Sequence, residues 1–540
     1  MQLSFSEPGL YFYWFRLGGR RAALGEDRNA GFSDSASAYQ ILVYRECFAT
    51  PAWFKGGIMY QIFPDRFFKS GEILVEKGKW LHRDWHETPE FRPNEKGKIL
   101  NNDFFGGNFR GILKKLDYLQ SLHVTVIYLN PIFRAFSNHR YDTGDYMQLD
   151  PMLGSEEDFA ALVSECGKRG IRLILDGVFN HTGDDSRYFN KYGTYDEIGA
   201  YQSKDSKYYS WYNFRHFPDK YDSWWGIDVL PAVNENCPSY IDFITGENGV
   251  LRRWMKYPLG GFRLDVADEL PDEFIAKIRS AVKSANGDAV VIGEVWEDAS
   301  NKIAYSTRRK YFQGEELDSV MNYPLKDAII NFVVSGNTSL LRRTVGMLLD
   351  HYPKCVLDSL MNILGTHDTV RVLTALGGVC AYNKEDMAVL KLSAEQRAVA
   401  TERLKIAAIL LYTFFGVPCI YYGDEIGMEG YSDPFCRKPF AWDLIDEDIL
   451  SHYRWLGELR SRYTVFRDGD YRELYHDDNC IVFERRKGKE AVITVANLGN
   501  NKYTLRFNGV LYNQLSGERC VDRVDIEPHH IAVYGNISII

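Results

Sequence analysis

The sequence is poor in the features that would fix a protein outside a reducing, aqueous compartment. Its nine cysteines contain no C-x-x-C pair, and an odd, scattered set argues for free thiols rather than a disulfide framework. No uninterrupted apolar run reaches ~18 residues, so no membrane-spanning helix is expected. The first residues, Met1-Gln2-Leu3-Ser4-Phe5-Ser6-Glu7-Pro8, have neither the basic start nor the apolar core of a secretory leader, and the expectation is a cytoplasmic protein. Positive charge is also short. The 64 Lys and Arg face 73 Asp and Glu, a net charge of −9 that disfavours nucleic acid and anionic membrane as partners. Neither an internal repeat nor a low-complexity tract is visible.

What is present is an ordinary globular composition in 540 residues, 45% of them hydrophobic, enough for more than one domain with large cores. Aromatic residues make up 14%, a surplus that suits a carbohydrate cleft because sugar rings offer apolar C–H faces to aromatic planes.

The most informative stretch is Gly260-Gly261-Phe262-Arg263-Leu264-Asp265-Val266-Ala267-Asp268-Glu269. Phe262, Leu264 and Val266 alternate with Arg263 and Asp265, a short buried strand carrying opposite charges on one face. Such charges must serve each other or a ligand. A structural ion pair explains one strand of this kind, but the pattern recurs. Apolar strands also end in Asp176 (Leu173 to His181), in Glu294 (Val290 to Trp296) and in Asp368 (Leu360 to Asp368). Four strands, each delivering an acid at its C-terminal end, predict a parallel (β/α)8 barrel, the TIM barrel of the α/β class, with its chemistry at one mouth.

These four segments resemble the conserved regions of the α-amylase family of glycoside hydrolases, within it the neopullulanase and cyclomaltodextrinase group. The similarity runs from about Gly56 to beyond Arg485. Read along the chain, residues 1–52 hold two alternating runs, Leu10 to Phe15 and Tyr39 to Tyr44, a hairpin or a few strands too short for an independent sandwich. The resemblance implies that they are a remnant of a starch-binding sandwich packed on the barrel. The barrel itself is expected over 53–463. Phe109 to Leu122 has helical spacing, Ser155 with Asp158 forms a capping-box variant, and Pro238 to Met255 reads as helical. An excursion of about 182–240 after strand three is too long to be a plain connection and is expected to be an inserted, substrate-shaping domain. From 464 to 540 the short alternating strands predict a C-terminal β-sandwich.

Cleaving a glycosidic bond needs an acid for the leaving oxygen and a carboxylate for the anomeric carbon, about 5–5.5 Å apart in a retaining enzyme. The resemblance implies Asp265 as nucleophile, Glu294 as general acid and Asp368 as the third acid, which holds sugar hydroxyls. Arg263, two residues before Asp265, points the same way into the barrel and keeps that carboxyl anionic. His181 and His367 match the histidines that bond the same sugar, and Tyr141, in His139 to Tyr146, matches the ring that stacks beneath it. Asp176 is implied to bond the arginine rather than the substrate, with Asn180 as structural support. Trp296 follows the acid as tryptophan does in this group, whereas Glu297 stands where many relatives have histidine. Arg371 either holds an extended substrate or pairs with an acid.

The group's calcium site, an Asn/Asp-rich loop with Gly-Gly-Asp, is represented by Lys69-Ser70-Gly71-Glu72 and Phe105-Gly106-Gly107-Asn108, with few hard anionic oxygens. No cofactor or metal is therefore expected to be required. The expected function is a retaining hydrolase of α-1,4 and α-1,6 glucosidic bonds in maltooligosaccharides, cyclodextrins or pullulan, whose partner is the glucan itself. A transglycosylase or exo-acting α-glucosidase would share the same acids, and a non-catalytic carbohydrate-binding subunit would lack one or more of them.

Overall fold

The structure, a computed structural model, describes residues 4–24, 30–32 and 38–537. Eight parallel strands close into a barrel: β1 (Met59–Ile62), β2 (Val126–Leu129), β3 (Arg172–Gly177), β4 (Gly261–Leu264), β5 (Val290–Gly293), β6 (Ser319–Asn322), β7 (Met361–Ile363) and β8 (Val417–Tyr421). Each is buried on both faces, which is why the strands read as short, nearly continuous apolar runs. Alternate residues separate two cores. Met59, Tyr128, Ile174, Ile292 and Met361 fill the barrel, while Ile127, Leu175, Phe262 and Leu264 pack outward against the helices. Gly261 begins β4 at φ 139°, and the position requires glycine because a Cβ there would meet the Val290 carbonyl oxygen at 1.9 Å.

Register explains why the acids meet. Asp176 on β3 pairs with Arg263 on β4, and Leu264 pairs with Gly293 on β5. Asp265 and Glu294, each one residue past its strand, therefore emerge side by side.

The helices follow the apolar spacing with two changes. The capping box is present: Ser155 Oγ accepts the Asp158 N–H at 3.2 Å, and the helix Glu156–Lys168 buries Phe159, Leu162 and Val163. The single helix expected from Phe109 to Leu122 is two, Phe109–Lys114 and Leu116–Ser121. Lys115 leaves helical geometry between them and sets its ammonium over the Trp442 and Phe68 rings, 3.7 and 4.1 Å from their centroids. Likewise 238–255 divides into Pro238–Thr245 and Val250–Trp254, because the chain turns extended at Gly246.

Near the N-terminus Gly9–Tyr13 pairs antiparallel with Tyr39–Val43. Part of the Gly-, Ser- and Asp-rich link between them lies outside the described residues. The pair is seated on the loop after β5 through Gln40, which donates to Ser300 Oγ and accepts from Asn301 Nδ2, both at 2.8 Å. At the other end of the chain, where a β-sandwich is expected, there is instead one six-stranded antiparallel sheet within Asp470–Gly535, with the main core rather than a second sheet against one of its faces. One face joins the main core, where Phe483 stacks on Phe414 at 4.5 Å, and the other holds a separate cluster around Val482, Ile493 and Val495. All nine cysteines are free. Among the described residues no helix is long and apolar enough to cross a membrane.

Candidate active site

Arg263 is the hub of the barrel mouth. Its side chain is wholly buried, and its Nη1 donates to Asp176 Oδ1 and to Asp265 Oδ1, both at 2.8 Å. Its Nη2 lies 2.9 Å from Glu294 Oε2. One guanidinium thus faces three carboxylates, of which Asp265 and Glu294 are each only 6% exposed. Burial pushes the Asp265 carboxyl well up, Arg263 opposes this, and the neighbouring Glu294 and Asp176 add to the rise. Asp265 therefore holds its proton above the ordinary carboxylate range, against the expectation that Arg263 alone would keep it anionic.

Backbone strain helps to fix the pair. β4 ends at Leu264, earlier than the alternation suggested, and Val266 adopts a left-handed conformation at φ 40°, ψ 54°. For a β-branched residue this costs roughly 1–2 kcal/mol. The kink turns the Val266 N–H onto Glu294 Oε2 at 2.8 Å. Trp296 Nε1–H reaches Glu294 Oε1 at 3.2 Å, and the indole, 44% exposed, stacks on Tyr323 at 3.9 Å.

Across the mouth, Asp368 lies 3.0 Å from His367 Nε2 and accepts from Arg437 Nη2 at 3.1 Å. Burial works to raise its carboxyl, but the His367 ring and the Arg437 and Arg263 charges overcome that and hold it below the usual range. The amides of Gln61 and Asn130 point at His367 Nδ1 from 2.9 and 3.2 Å. Both are donors there, so Nδ1 accepts and the proton sits on Nε2, facing Asp368 and the Tyr141 hydroxyl. Tyr141 stacks on His367 at 5.2 Å, and its hydroxyl donates to Asp176 Oδ2 at 2.9 Å. His181 is buried, bonds Asn180 Oδ1 through Nδ1 and stacks on Trp224 at 5.4 Å. Burial lowers its pKa to about 4, so the ring is neutral, and its Nε2 has no partner in the protein. Asn180 in turn donates to Glu235 at 3.2 Å.

One expected substrate contact lies elsewhere. Arg371 is fully buried, bonds Asp424 Oδ1 at 3.0 Å and the Tyr422 carbonyl at 2.6 Å, and is flanked by the rings of Tyr421 and Tyr422. It therefore takes the acid-pairing alternative, because two aromatic rings and a buried carboxylate enclose it. The arginine that does reach the third acid is Arg437, in an irregular loop after β8 with no periodicity to mark it. Gln61 and Asn130 were also missed, although a polar side chain inside or just past an apolar strand is the same signal that exposed Asp176.

The calcium-type residues do not fit a cation. Asn108 spends its amide on the Ser70 carbonyl at 2.8 Å and its oxygen on the Gly111 N–H at 2.8 Å. Asp65 accepts from Phe105 and Gly106 and pairs with Arg66. Among the described residues no group of three or more His, Cys, Asp or Glu is arranged to hold a metal.

Comparison with known proteins agrees with this geometry. The family model described as alpha amylase, catalytic domain, matches residues 61–242 and 229–449. An amylopullulanase from Thermoanaerobacter thermohydrosulfuricus is 37% identical over 90% of this chain, but the chain spans only 36% of that protein's length. A cyclomaltodextrinase from Geobacillus thermopakistaniensis is 33% identical, with 94% of this chain and 82% of that protein covered. Among solved structures, the cyclic α-maltosyl-(1→6)-maltose hydrolase from Arthrobacter globiformis superposes with a TM-score of 0.74 at 28% identity, covering 90% of this chain and all of that one.

Proposed function

This chain belongs to the α-amylase family of glycoside hydrolases, and from that premise we propose that it is a retaining hydrolase of α-glucosidic bonds in maltooligosaccharides, cyclodextrins or pullulan. The observation that carries the reading is the bridging of Asp265 and Glu294 by one buried guanidinium, with Asp368 held opposite by a histidine and an arginine.

The chemistry follows from the charges. In the reactive form the proton is on Glu294 and Asp265 is the anion, a form that the direct bond to Arg263 favours against the burial that raises this carboxyl. Glu294 protonates the departing glycosidic oxygen while Asp265 attacks the anomeric carbon, which gives a covalent glycosyl ester. Glu294, now a carboxylate, takes a proton from water, and the hydroxide equivalent releases the sugar with its α configuration retained. Asp368 and the unprotonated His181 Nε2 accept from hydroxyls of the same sugar, Tyr141 covers one of its faces, and Trp296 lies on the leaving-group side. The crowd of carboxylates pulls protons from solution and Arg263 limits that pull, so a small change in either moves the working pH.

Both α-1,4 and α-1,6 linkages belong to the proposal, supported by relatives named cyclomaltodextrinase and neopullulanase. The test is sugar release from maltotriose and pullulan with chromatography of the products. Panose, isopanose or maltotriose from pullulan reports which bond is cut. No release from either glucan contradicts the proposal.

A further inference from the structure

The mouth is bridged on one side. Glu269, four residues after Asp265, accepts the indole N–H of Trp225 at 3.0 Å on one oxygen and the hydroxyl of Tyr305 on the other. Trp225 comes from the excursion after β3, Tyr305 from the tip of a hairpin after β5 (Ile303–Ala304 with Thr307–Arg308). The two rings are 80% and 70% exposed, yet each is tied down by its only polar atom. Both residues, and Ser306 beside Tyr305, sit at positive φ (51°, 50° and 64°), which side chains with a Cβ adopt at a cost. At Tyr305 and Ser306 positive φ is what a two-residue hairpin turn requires, so the turn itself fixes where the Tyr305 ring stands.

The bridge is continuous with the active site. Trp225 lies against Trp224 at 5.9 Å, and Trp224 stacks on His181. A second brace lies beside the first in sequence. Lys302 pairs with Asp268 at 3.0 Å and with Glu297, three residues past the acid Glu294. The first brace ends on the hairpin after β5 and the second on Glu297, so both meet the segment that follows Glu294. The hairpin base is anchored from outside, with the Arg308 guanidinium 5.3 Å from the Phe12 ring centroid.

We propose that Trp225, Glu269 and Tyr305 form a clasp across the leaving-group side of the cleft that selects short α-glucans over polymeric ones. An open groove lets a long chain continue past the cleavage point. A hydrogen-bonded bridge across that groove must part before a continuing chain can lie there, whereas a short leaving group fits beneath it. The inference rests on the glycosidase reading and adds a specificity to it.

The experiment compares kcat/KM for pullulan and for maltotriose in the wild type, in Trp225→Phe and Tyr305→Phe, which each delete one donor and keep a ring, and in the double variant. Glu269→Ala cuts both ties without touching either ring. The pullulan-to-maltotriose ratio should rise about threefold or more in each single variant, the size expected of one exposed hydrogen bond, and further in the double variant. Thermal unfolding confirms that the variants are folded. A ratio that stays at the wild-type value in both the double variant and Glu269→Ala overturns the clasp and leaves the glycosidase reading intact. A wild type inert on both glucans removes that reading and the clasp with it.

Discussion

Arg263 neutralises less negative charge than it faces. With Asp176, Asp265 and Glu294 all around it, a proton is retained at a pH where isolated carboxyls are ionised. For a nucleophile with its pKa raised, activity is lost as pH falls through that raised value. The acid limb of kcat/KM should therefore lie above the ordinary carboxylate range. His181 adds no limb between about pH 5 and 7 because burial already keeps it neutral. Replacing Glu294 with Gln should lower kcat by roughly 10²–10⁴-fold on maltotriose. His181→Ala should lower kcat/KM by roughly 10- to 100-fold, the loss of one strong hydrogen bond to the sugar. Wild-type rates in either variant would remove that residue from the mechanism. Arg371 is the contrast. Its loss in Arg371→Met strands the buried Asp424 carboxylate, at a cost of about 3–5 kcal/mol in stability. Denaturant unfolding should register that cost, while the preference between maltotriose and pullulan stays where it was.

At the scale of the element, the turn after β4 is the piece to disturb. Val266→Gly relieves the left-handed strain but gives up a half-buried side chain, so stability should change by less than about 1 kcal/mol. A loosened turn holds Glu294 less firmly, and kcat should fall. Steady-state kinetics beside calorimetry separates the two effects, and a fall in stability with kcat unchanged would refute the role given to the strain. How much of this was legible in the sequence depends on regularity. Asp176, Asp265, Glu294 and Asp368 could be read because a parallel barrel places strand ends at one mouth and each acid interrupts an apolar run. Arg437, Trp225 and Tyr305 could not, because their loops have no period and their partners come from distant strands. The breaks at Lys115 and Gly246 were hidden for another reason: apolar spacing continues across a helix break when both pieces pack on the same core.

For the whole molecule, buried acids set the response to pH. Burial raises Glu235 and Glu316 to about 8. An acid with its pKa raised on folding contributes stability that is complete below its unfolded value and disappears as pH rises through the folded one. Between about 4.5 and about 8 each of these groups makes stability fall with pH. Glu316→Gln removes one such slope, so its melting temperature should decline less than that of the wild type from pH 5 to about 9. Parallel curves would exclude the assignment. The joint between barrel and C-terminal sheet is held by the Trp455 indole N–H on the Gln514 carbonyl at 2.9 Å and by the stacked rings of Phe414 and Phe483. The central claim is that a polymer folded into a closed ring of strands brings Asp265 to the anomeric carbon as a nucleophile. Incubating the protein with a fluorinated α-glucosyl fluoride, then mapping the labelled peptide by mass spectrometry, tests it most directly. The account predicts one glucosyl adduct, on Asp265; a label on Glu294 or Asp368, or turnover with inversion and no adduct, would contradict it.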